Sequence, residues 1–472
     1  MTRKRNVILI LTDQQHYRSL GINGCPEAQT PNLDALGAHG VNFRNYFVTN
    51  PVCSPSRGSL FTGRHITEHG LWANGCALPQ HVPTIPQVLR QNGYQTALFG
   101  KLHLVPIVSR TEPHPAYGFE ICEVAEGDQQ LLDDAYFRWL KKEHTEVYLN
   151  YVNEMYTKGH TDGYTSAIPE ECHLNTWITE RGLDFLKNRR DEDKPFFLNL
   201  SYFDPHHAFN PCEPYASRFR DCEVSAPRQN PAGFDLRPTH MQGKIRADRA
   251  ITTNSERMTG IIRAYHAMVA HIDHCVGRVL AALRELGLDE DTVVIFTSDH
   301  GELLGNHEML WKGPIMLDDL LRVPFIIDLP GGEKRGLQVD HLASGIDLFP
   351  TILEVAGLPS EELYRGDGRC MVDDNLVPPP SPNHEFILAE WEDDRAAGAT
   401  RSIRCLRTAE AKLVYYPTAP EESELYVYHE DPDEFFNRYR SADHRHHRDE
   451  LFARLCRHYL AYRPAVPRSP CW

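Results

Sequence analysis

The segment NVILILTDQQ, residues 6–15, decides how the chain is interpreted. Residues 6–11 form a short apolar run rich in β-branched side chains, and this pattern predicts a strand buried in a parallel sheet. The run ends in a polar cluster that contains Asp13 and Gln14. Open α/β sheets bind ligands at the carboxyl ends of their strands. The segment therefore predicts a central strand that delivers polar side chains to a functional site.

The alternation of strand and helix patterns continues along the chain. Further strands are predicted at residues 41–47, 95–99, 195–202 and 292–296. Helical spacing or capping signals mark residues 30–40, 54–61, 84–91, 176–186 and 258–279. Alternation of this kind implies a mainly parallel central sheet flanked by helices. The predicted fold class is therefore α/β.

The C-terminal part of the chain has a different pattern. A proline-rich stretch at residues 377–382 is typical of a linker or surface loop. Beyond it, short strand patterns occur at residues 386–389, 401–406, 411–416 and 425–428, and helical spacing at residues 448–462. We predict a main α/β domain over residues 1–380 and a smaller α+β subdomain over residues 381–472, built from an antiparallel sheet and a helix.

Composition restricts the possible partners and location. The 472 residues include 65 acidic residues against 49 lysines and arginines, a formal charge of −16. Nucleic acids and anionic membranes need a basic surface, so we expect neither as a partner. No stretch approaches the roughly 20 apolar residues of a membrane span. The N-terminus makes a poor secretion signal and the 12 cysteines contain no CxxC pair, so we expect a reducing, cytoplasmic location.

Polar side chains follow several of the predicted strands. They gather at one edge of a parallel sheet, where carboxylate, amide and imidazole groups would suit a divalent metal such as calcium, magnesium or manganese. Any one of them could be an ordinary capping or surface residue, and it is their joint placement that indicates a site. These residues are Asp13, Gln14, Lys101, His103, His206, Asp299 and His300.

Cys53 lies in the sequence PVCSPSRG, residues 51–58, where a helix is predicted to begin. The free N–H groups and dipole of a helix N-terminus favour an anionic nucleophile and an anionic substrate. Arg57, one turn along, could also reach such an anion. From the residues alone, an activated cysteine and a buried structural cysteine are both open.

The chain resembles the formylglycine-dependent sulfatases of the alkaline phosphatase superfamily. Their signature is a Cys-x-Pro-x-Arg motif before a short helix, and residues 53–57 match it. The resemblance extends, in family order, to residues 6–14, 60–64, 100–103, 205–206, 297–301, 311–313, 424–426 and 431–432. These ordered blocks span most of the chain, so chance is a poor explanation. The resemblance implies a sulfuric ester hydrolase with its catalytic domain at residues 1–380.

The resemblance also implies how the nucleophile works. In that family the cysteine is oxidised to formylglycine by a formylglycine-generating enzyme, which we therefore expect as a maturation partner. The hydrated aldehyde carries two hydroxyls on one carbon. One attacks sulfur in line with the ester oxygen, while a metal and cationic side chains neutralise charge. The second then loses its proton, so that the carbonyl re-forms and sulfate is expelled.

Site roles are carried over by resemblance. The metal shell would comprise Asp13, Gln14, Asp299, His300 and the modified Cys53. Arg57 and Lys101 would hold the formylglycine, and His103 would take the proton that triggers sulfate release. His206 and Lys312 would bind the transferring group, and one of the two would assist the leaving oxygen, with His207 as the alternative to His206. Asn74 is a candidate substrate-binding residue, although a turn residue before Gly75 fits equally well.

Two positions depart from the commonest family pattern. Many members carry a second aspartate where this chain has Gln14, and an asparagine where it has His300. The shell is less anionic than in those members, which makes manganese plausible. We expect calcium, with manganese as the alternative. The same pair resembles choline-sulfatase-like and phosphonate-monoester-hydrolase-like relatives.

Three functions follow from these features. The main prediction is hydrolysis of a small-molecule sulfate ester with an unspecified alcohol. The first alternative is a phosphonate monoester hydrolase or phosphodiesterase with the same machinery. The second is a non-catalytic, sulfatase-like binding protein with Cys53 unmodified. A homo-oligomer is expected, without a stated number of subunits.

Overall fold

A computed structural model describes residues 4–106, 114–127, 133–158, 162–330, 336–373, 377–379, 384–392 and 402–461. Its strands are β1 Asn6–Thr12, β2 Val41–Phe43, β3 Tyr46–Phe47, β4 Gln95–Gly100, β5 Ile121–Val124, β6 Phe196–Ser201, β7 Thr292–Ser298, β8 Phe325–Asp328, β9 Leu337–Val339, β10 Ala343–Ser344, β11 Ile387–Trp391, β12 Ile403–Arg407, β13 Ala411–Tyr415 and β14 Glu424–Val427. Its α-helices are α1 Pro31–His39, α2 Cys53–Thr62, α3 Ile66–His69, α4 Ile85–Gln91, α5 Ala135–Glu143, α6 Thr145–Thr157, α7 Leu174–Asp184, α8 Tyr215–Phe219, α9 Thr239–Thr252, α10 Ser255–Glu285, α11 Asp318–Leu321, α12 Leu348–Val355, α13 Ser360–Leu363 and α14 Arg445–Ala461.

The central sheet has the strand order β5-β4-β6-β1-β7-β8-β2-β9. All neighbours are parallel except β8, which runs antiparallel to both β7 and β2. Four consecutive parallel strands, β4, β6, β1 and β7, are all among those predicted from their apolar patterns. The predicted mainly parallel α/β fold is confirmed.

Strand β1 explains why its sequence is apolar at every position. Val7, Leu9 and Leu11 pack into the core on one face of the sheet. Ile8 and Ile10 pack into the core on the opposite face, which also receives the long helix α10. Both faces are covered, so β1 has no polar alternation along its length.

The predicted strand at residues 41–47 is wrong as a single element. It is divided into β2 and β3 by Arg44 and Asn45. Strand β2 joins the central sheet, whereas β3 pairs with β10 in a separate two-stranded sheet. Arg44 donates its backbone N–H to Val339, and Asn45 bonds the backbone of Asp340 through its side chain, so the chain turns away at this point.

The small C-terminal sheet is antiparallel, with the order β11-β12-β13-β14, as predicted. One face contributes Ala389 and Cys405 to the core shared with the central sheet. The other face packs Leu406 and Leu413 against Leu451 of α14. The division of the chain near residue 380 stays a prediction, and of the proposed linker at residues 377–382 only residues 377–379 are among the described residues.

Buried charges also join this small sheet to α11. The fully buried Lys412 places its Nζ 2.9 Å from Asp318 Oδ1 and 2.5 Å from Glu434 Oε1. Arg407 lies 3.2 Å from the other oxygen of Asp318.

No helix within the described ranges is long and apolar enough to cross a membrane.

Candidate active site

The ends of the central strands bring the predicted polar residues together. Asp13 follows β1, Lys101 follows β4, and Asp299 and His300 follow β7. Lys101 Nζ lies 2.6 Å from Asp13 Oδ2, and the His300 Nε2 atom lies 3.7 Å from Asp13 Oδ1. All four residues are almost completely buried. The expectation that these side chains converge at one edge of the sheet is therefore met.

Cys53 begins helix α2, and this helix points its N-terminus at the same cluster. The Cys53 Sγ atom lies 3.2 Å from His300 Nε2 and 3.7 Å from Asp13 Oδ1. One turn along, Arg57 is fully buried and places its Nε 2.7 Å from Asp299 Oδ2. It also donates to the Lys101 carbonyl at 2.9 Å, so the guanidinium connects α2 to two strand ends.

Asp13, Cys53, Asp299 and His300 form a group suited to a metal ion. Each offers one ligand atom, and these atoms all lie within 4.8 Å of one another. His300 Nδ1 donates to the Gly301 carbonyl at 2.8 Å, so that in the neutral ring the Nε2 lone pair is directed at the group. Two carboxylates, an imidazole and a sulfur or oxygen ligand match the donors of a divalent cation. The residues present therefore fit the metal that the family resemblance implies.

Gln14 adds an unpartnered oxygen beside this group. Its backbone has φ 66° and donates to Asp299 Oδ1 at 3.1 Å. Its side-chain Nε2 contacts Glu302 Oε2 and lies 3.0 Å from His207 Nδ1. Its Oε1 is buried and accepts no hydrogen bond from the described part of the chain. A buried amide oxygen without a partner is costly, and a bound cation would satisfy it.

Glu302 orients this amide, and sequence reasoning missed it. It is fully buried, and its Oε1 accepts from the backbone N–H groups of Leu304 at 2.8 Å and Trp311 at 2.6 Å. Burial raises the pKa of Glu302 above its ordinary value. Because a carboxylate only accepts, it turns the Gln14 NH₂ toward itself and leaves the Gln14 oxygen facing away. The signal that could have identified Glu302 is its place three residues after Asp299.

Lys312 supplies a cation at the open side of the group. Its Nζ lies 2.8 Å from Cys53 Sγ, 2.8 Å from His206 Nε2 and 3.1 Å from His300 Nε2. His207, the alternative to His206, stacks on His206 with ring centroids 4.2 Å apart but faces Gln14 instead. His206 is thus the histidine of this pair that contacts Lys312.

The cations control the ionisation of the cluster. Burial opposes ionisation of Asp13, yet the charges of Lys101 and its cationic neighbours hold the Asp13 pKa well below its usual range. Burial and Asp13 raise the pKa of the Cys53 thiol, but Lys101, Lys312 and His300 outweigh them, so that the pKa lies below that of a free thiol. The site therefore favours a negative charge on both groups.

His103 occupies a strained backbone position next to the cluster. Its φ is 54°, and its backbone N–H donates to Glu126 Oε1 at 2.9 Å. Burial, followed by the charges of Lys101 and Arg57, holds the His103 pKa well below the ordinary value, so the ring is neutral at neutral pH. Its Nδ1 makes no hydrogen bond to a described residue. A neutral imidazole with a free ring nitrogen can accept a proton.

A cavity of about 740 Å³ opens over these groups. Cys53, Lys101, His103, His206 and Lys312 all line it. Asn74 lines it too, and its Oδ1 also accepts from the Ser54 backbone N–H at 3.0 Å, near the start of α2. Gly75 has φ 90°, so the turn that the sequence suggested is also present. Asn74 thus combines a position in the cavity with support for the helix N-terminus.

This fold and this buried site are those of an alkaline-phosphatase-like hydrolase. The chain matches the model of the Sulfatase family over residues 5–358 and that of the N-sulphoglucosamine sulphohydrolase C-terminal region over residues 305–459. It is 30% identical to the uncharacterized sulfatase YidJ of Escherichia coli (strain K12), with 92% of this chain and 83% of that protein covered. The chain belongs to the sulfatase family, and the predicted membership is confirmed.

Two further relatives extend the comparison. The multifunctional alkaline phosphatase superfamily protein PehA of Trinickia caryophylli is 33% identical over 79% of this chain and 77% of that protein. The structure of the phosphonate monoester hydrolase SpPMH from Silicibacter pomeroyi superposes with a TM-score of 0.83 at 22% identity, over 98% of this chain and 96% of that chain. The family match identifies the protein as a sulfatase enzyme and disfavours the non-catalytic alternative.

Proposed function

We propose that this sulfatase hydrolyses a small-molecule sulfate ester through a formylglycine at residue 53, beside one divalent metal. The observation that carries the proposal is the position of Cys53. Its Sγ lies 2.8 Å from Lys312 Nζ and 3.2 Å from His300 Nε2, within the group of potential metal ligands. A formylglycine-generating enzyme would act on residues 53–57. A homo-oligomeric state and a cytoplasmic location stay predictions.

In the proposed mechanism the metal is held by Asp13, Gln14, Asp299, His300 and residue 53. When bound, it polarises the transferring group and favours ionisation of the nucleophile. Arg57 and Lys101 would position residue 53 and neutralise negative charge beside it. Both are held in place, because Arg57 is bound to Asp299 and Lys101 to Asp13. Both side chains are buried, so their charges act with little screening by water.

Proton transfers are assigned to the remaining side chains. Lys312 holds a proton at Nζ next to the substrate cavity and would give it to the leaving oxygen, with His206 fixing its position at 2.8 Å. His103, neutral and with a free ring nitrogen, would accept the proton from residue 53 that accompanies sulfate release. Asn74 and His206 would contact the bound ester from the cavity wall.

For the metal we propose calcium, with manganese as the alternative. The carboxylates of Asp13 and Asp299 and the amide oxygen of Gln14 are hard ligands that suit calcium. The imidazole of His300 is the ligand that favours manganese. Metal analysis of the purified protein by mass spectrometry, after loading with equal concentrations of both ions, separates the two.

A phosphonate monoester or a phosphodiester is the alternative substrate. The observation that favours it is the pair Gln14 and His300. Many family members carry an aspartate and an asparagine at these two positions, so the metal shell of this chain is less anionic than theirs. The relative PehA, at 33% identity, is a multifunctional alkaline phosphatase superfamily protein, which supports testing several ester classes on one preparation.

The deciding experiment compares kcat/KM for an aryl sulfate, the matching aryl phosphonate monoester and the matching phosphate diester. The preparation is co-expressed with a formylglycine-generating enzyme, and mass spectrometry of the Cys53 peptide verifies the aldehyde. A preference for the sulfate supports the proposal. A preference for either phosphorus ester replaces it with the alternative, and a peptide that retains only thiol contradicts the formylglycine assignment.

A further inference from the structure

The substrate cavity has two chemically different ends. Its floor carries cations, since Lys101 and Lys312 lie there beside Cys53. Its wall carries two carboxyl groups, Glu126 and Asp204, neither of which lies in the group of potential metal ligands. A sulfate group suits the cationic floor. The carboxyl groups must therefore face whatever the sulfate is attached to.

Glu126 lies in the cavity wall, and only one of its two carboxylate oxygens accepts hydrogen bonds from the described residues. Its Oε1 accepts from the backbone N–H groups of His103 at 2.9 Å and Leu102 at 3.4 Å. Its own backbone N–H donates to Asp134 Oδ2 at 2.9 Å. Its Oε2 is buried and makes no hydrogen bond with the residues that the structure describes, and the Nε2 atom of His114 lies 4.0 Å from Oε1.

A free, buried carboxylate oxygen is uncommon because it loses its hydration without compensation. Glu126 is only 6% exposed, yet it borders a cavity large enough for a sugar-sized ligand. Its chemistry allows only one complement, a hydrogen-bond donor. A second anion would be repelled, both by Glu126 and by Asp204 when that group is ionised.

The surroundings of Glu126 agree with such a ligand. Aromatic side chains dominate the apolar part of the wall, and their faces pack against the C–H surfaces of sugars and against cations. They are Tyr136, Phe137, Tyr151, Phe203 and Trp311. Asp204 binds Asn175 through one oxygen at 2.8 Å, and burial raises its pKa to about 7, so it can also accept or donate at the same wall.

We propose that Glu126 recognises a hydrogen-bond donor on the leaving group, and that the natural substrate is the sulfate ester of a sugar-sized alcohol that bears hydroxyl or ammonium groups and no second anionic group. This inference rests on the proposed sulfatase function of the same site. Hydroxyl and ammonium groups can both donate a hydrogen bond to the Glu126 carboxylate, and the test distinguishes them. Glu126 is thus a specificity-determining residue outside the reacting group.

The test uses full-length protein with verified aldehyde and three substrates: glucose 6-sulfate, glucosamine 6-sulfate and 4-nitrophenyl sulfate, whose leaving group has no donor. The variant is Glu126→Gln, which keeps an oxygen for the His103 and Leu102 amides and replaces the free oxygen by an NH₂ group. We expect the variant to lose kcat/KM for at least one sugar sulfate by a factor about tenfold or more larger than its loss for the aryl sulfate, each relative to wild type. The sugar that loses more identifies the donor as hydroxyl or ammonium.

The matched control is Glu123→Gln on strand β5. Glu123 pairs with Arg189 at 2.7 Å and does not line the cavity, so this variant should keep the wild-type ratio of sugar to aryl activity. An equal loss for all three substrates with Glu126→Gln would overturn the proposal, because Glu126 would then act only by positioning His103. An unchanged ratio would overturn it as well. Failure of the wild type to cleave any sulfate ester would instead remove the proposed function itself.

Discussion

The side chains of Lys312 and His206 are joined by one hydrogen bond, 2.8 Å long, between Nζ and Nε2. His206 Nδ1 lies 2.5 Å from the His207 carbonyl oxygen and donates its proton to it. The Nε2 atom therefore keeps its lone pair and accepts from the lysine. Burial and the charge of Lys312 hold the pKa of His206 well below the ordinary value. In this hydrogen bond Lys312 is therefore the donor and His206 the acceptor.

Lys312→Ala should consequently impair esters of poor leaving groups most. Loss of a general acid costs about 10²- to 10⁴-fold, and we expect that range in kcat/KM for an alkyl sulfate. The loss for 4-nitrophenyl sulfate should be smaller, because nitrophenolate leaves without a proton. Lys244→Ala is the control, since Lys244 pairs with Asp248 at 3.0 Å. Equal losses for both esters would contradict a proton-donor role.

Glu302→Gln should weaken metal binding without unfolding the protein. The substituted amide no longer forces the Gln14 NH₂ group to face it, so the Gln14 oxygen loses its fixed direction. Outer ligands of this kind are worth about 10- to 100-fold in metal affinity, and titration calorimetry with manganese measures the change. In a Gln14→Ala background the same substitution should have little further effect. Full additivity of the two losses would show that Glu302 acts elsewhere.

Cys53 should be the most reactive buried thiol in protein that is neither modified nor metal-loaded. Its pKa is lowered, whereas burial raises the pKa of Cys122 to about 12. The thiolate fraction of Cys53 therefore rises at lower pH than in a free thiol. Peptide mass spectrometry after brief iodoacetamide treatment at pH 7.5 should find Cys53 labelled first. Lys101→Met should shift the pH dependence of labelling upward; faster labelling of Cys122 would refute the assignment.

Lys412→Met should destabilise the fold strongly. The substitution preserves the length of the side chain but leaves Asp318 and Glu434 buried with one cation fewer. Removing one partner of a buried ion pair costs about 3–5 kcal/mol. Urea unfolding followed by fluorescence measures the loss, with the exposed Lys142→Met as the control. A change below 1 kcal/mol would mean that Arg407 alone compensates both carboxylates.

The parts of the fold that the sequence predicts are those with long, uniform patterns. Strand β1 is recognisable because both of its faces are buried, which removes polar residues from residues 7–11. Strands β9 and β10 span only three and two residues, and such short segments carry no readable period. The separation of β2 from β3 follows from the different sheets they join, which is a property of the tertiary structure.

The candidate site shows a similar division. Asp13, Lys101 and Asp299 directly follow predicted strands, so parallel topology alone brings them together. Glu302 follows no pattern, because its role depends on a contact with Gln14, 288 positions earlier in the chain. Glu126 likewise follows β5, a four-residue strand whose side chains are all only partly buried, so it lacks the apolar run that marks the central strands. Contacts between two loops that are distant in sequence leave no sequence pattern, so only the three-dimensional structure reveals them.

Helix α2 buries every one of its ten residues, from Cys53 to Thr62. The formylglycine-generating enzyme proposed above would have to bind residues 53–57 as a peptide, so it could act on them only before this helix has packed. The proposed oxidation of residue 53 would then compete in time with packing of the core. A chain that folded before residue 53 was oxidised would keep the Cys53 thiol. The yield of active protein would then depend on the folding rate as well as on the amount of formylglycine-generating enzyme.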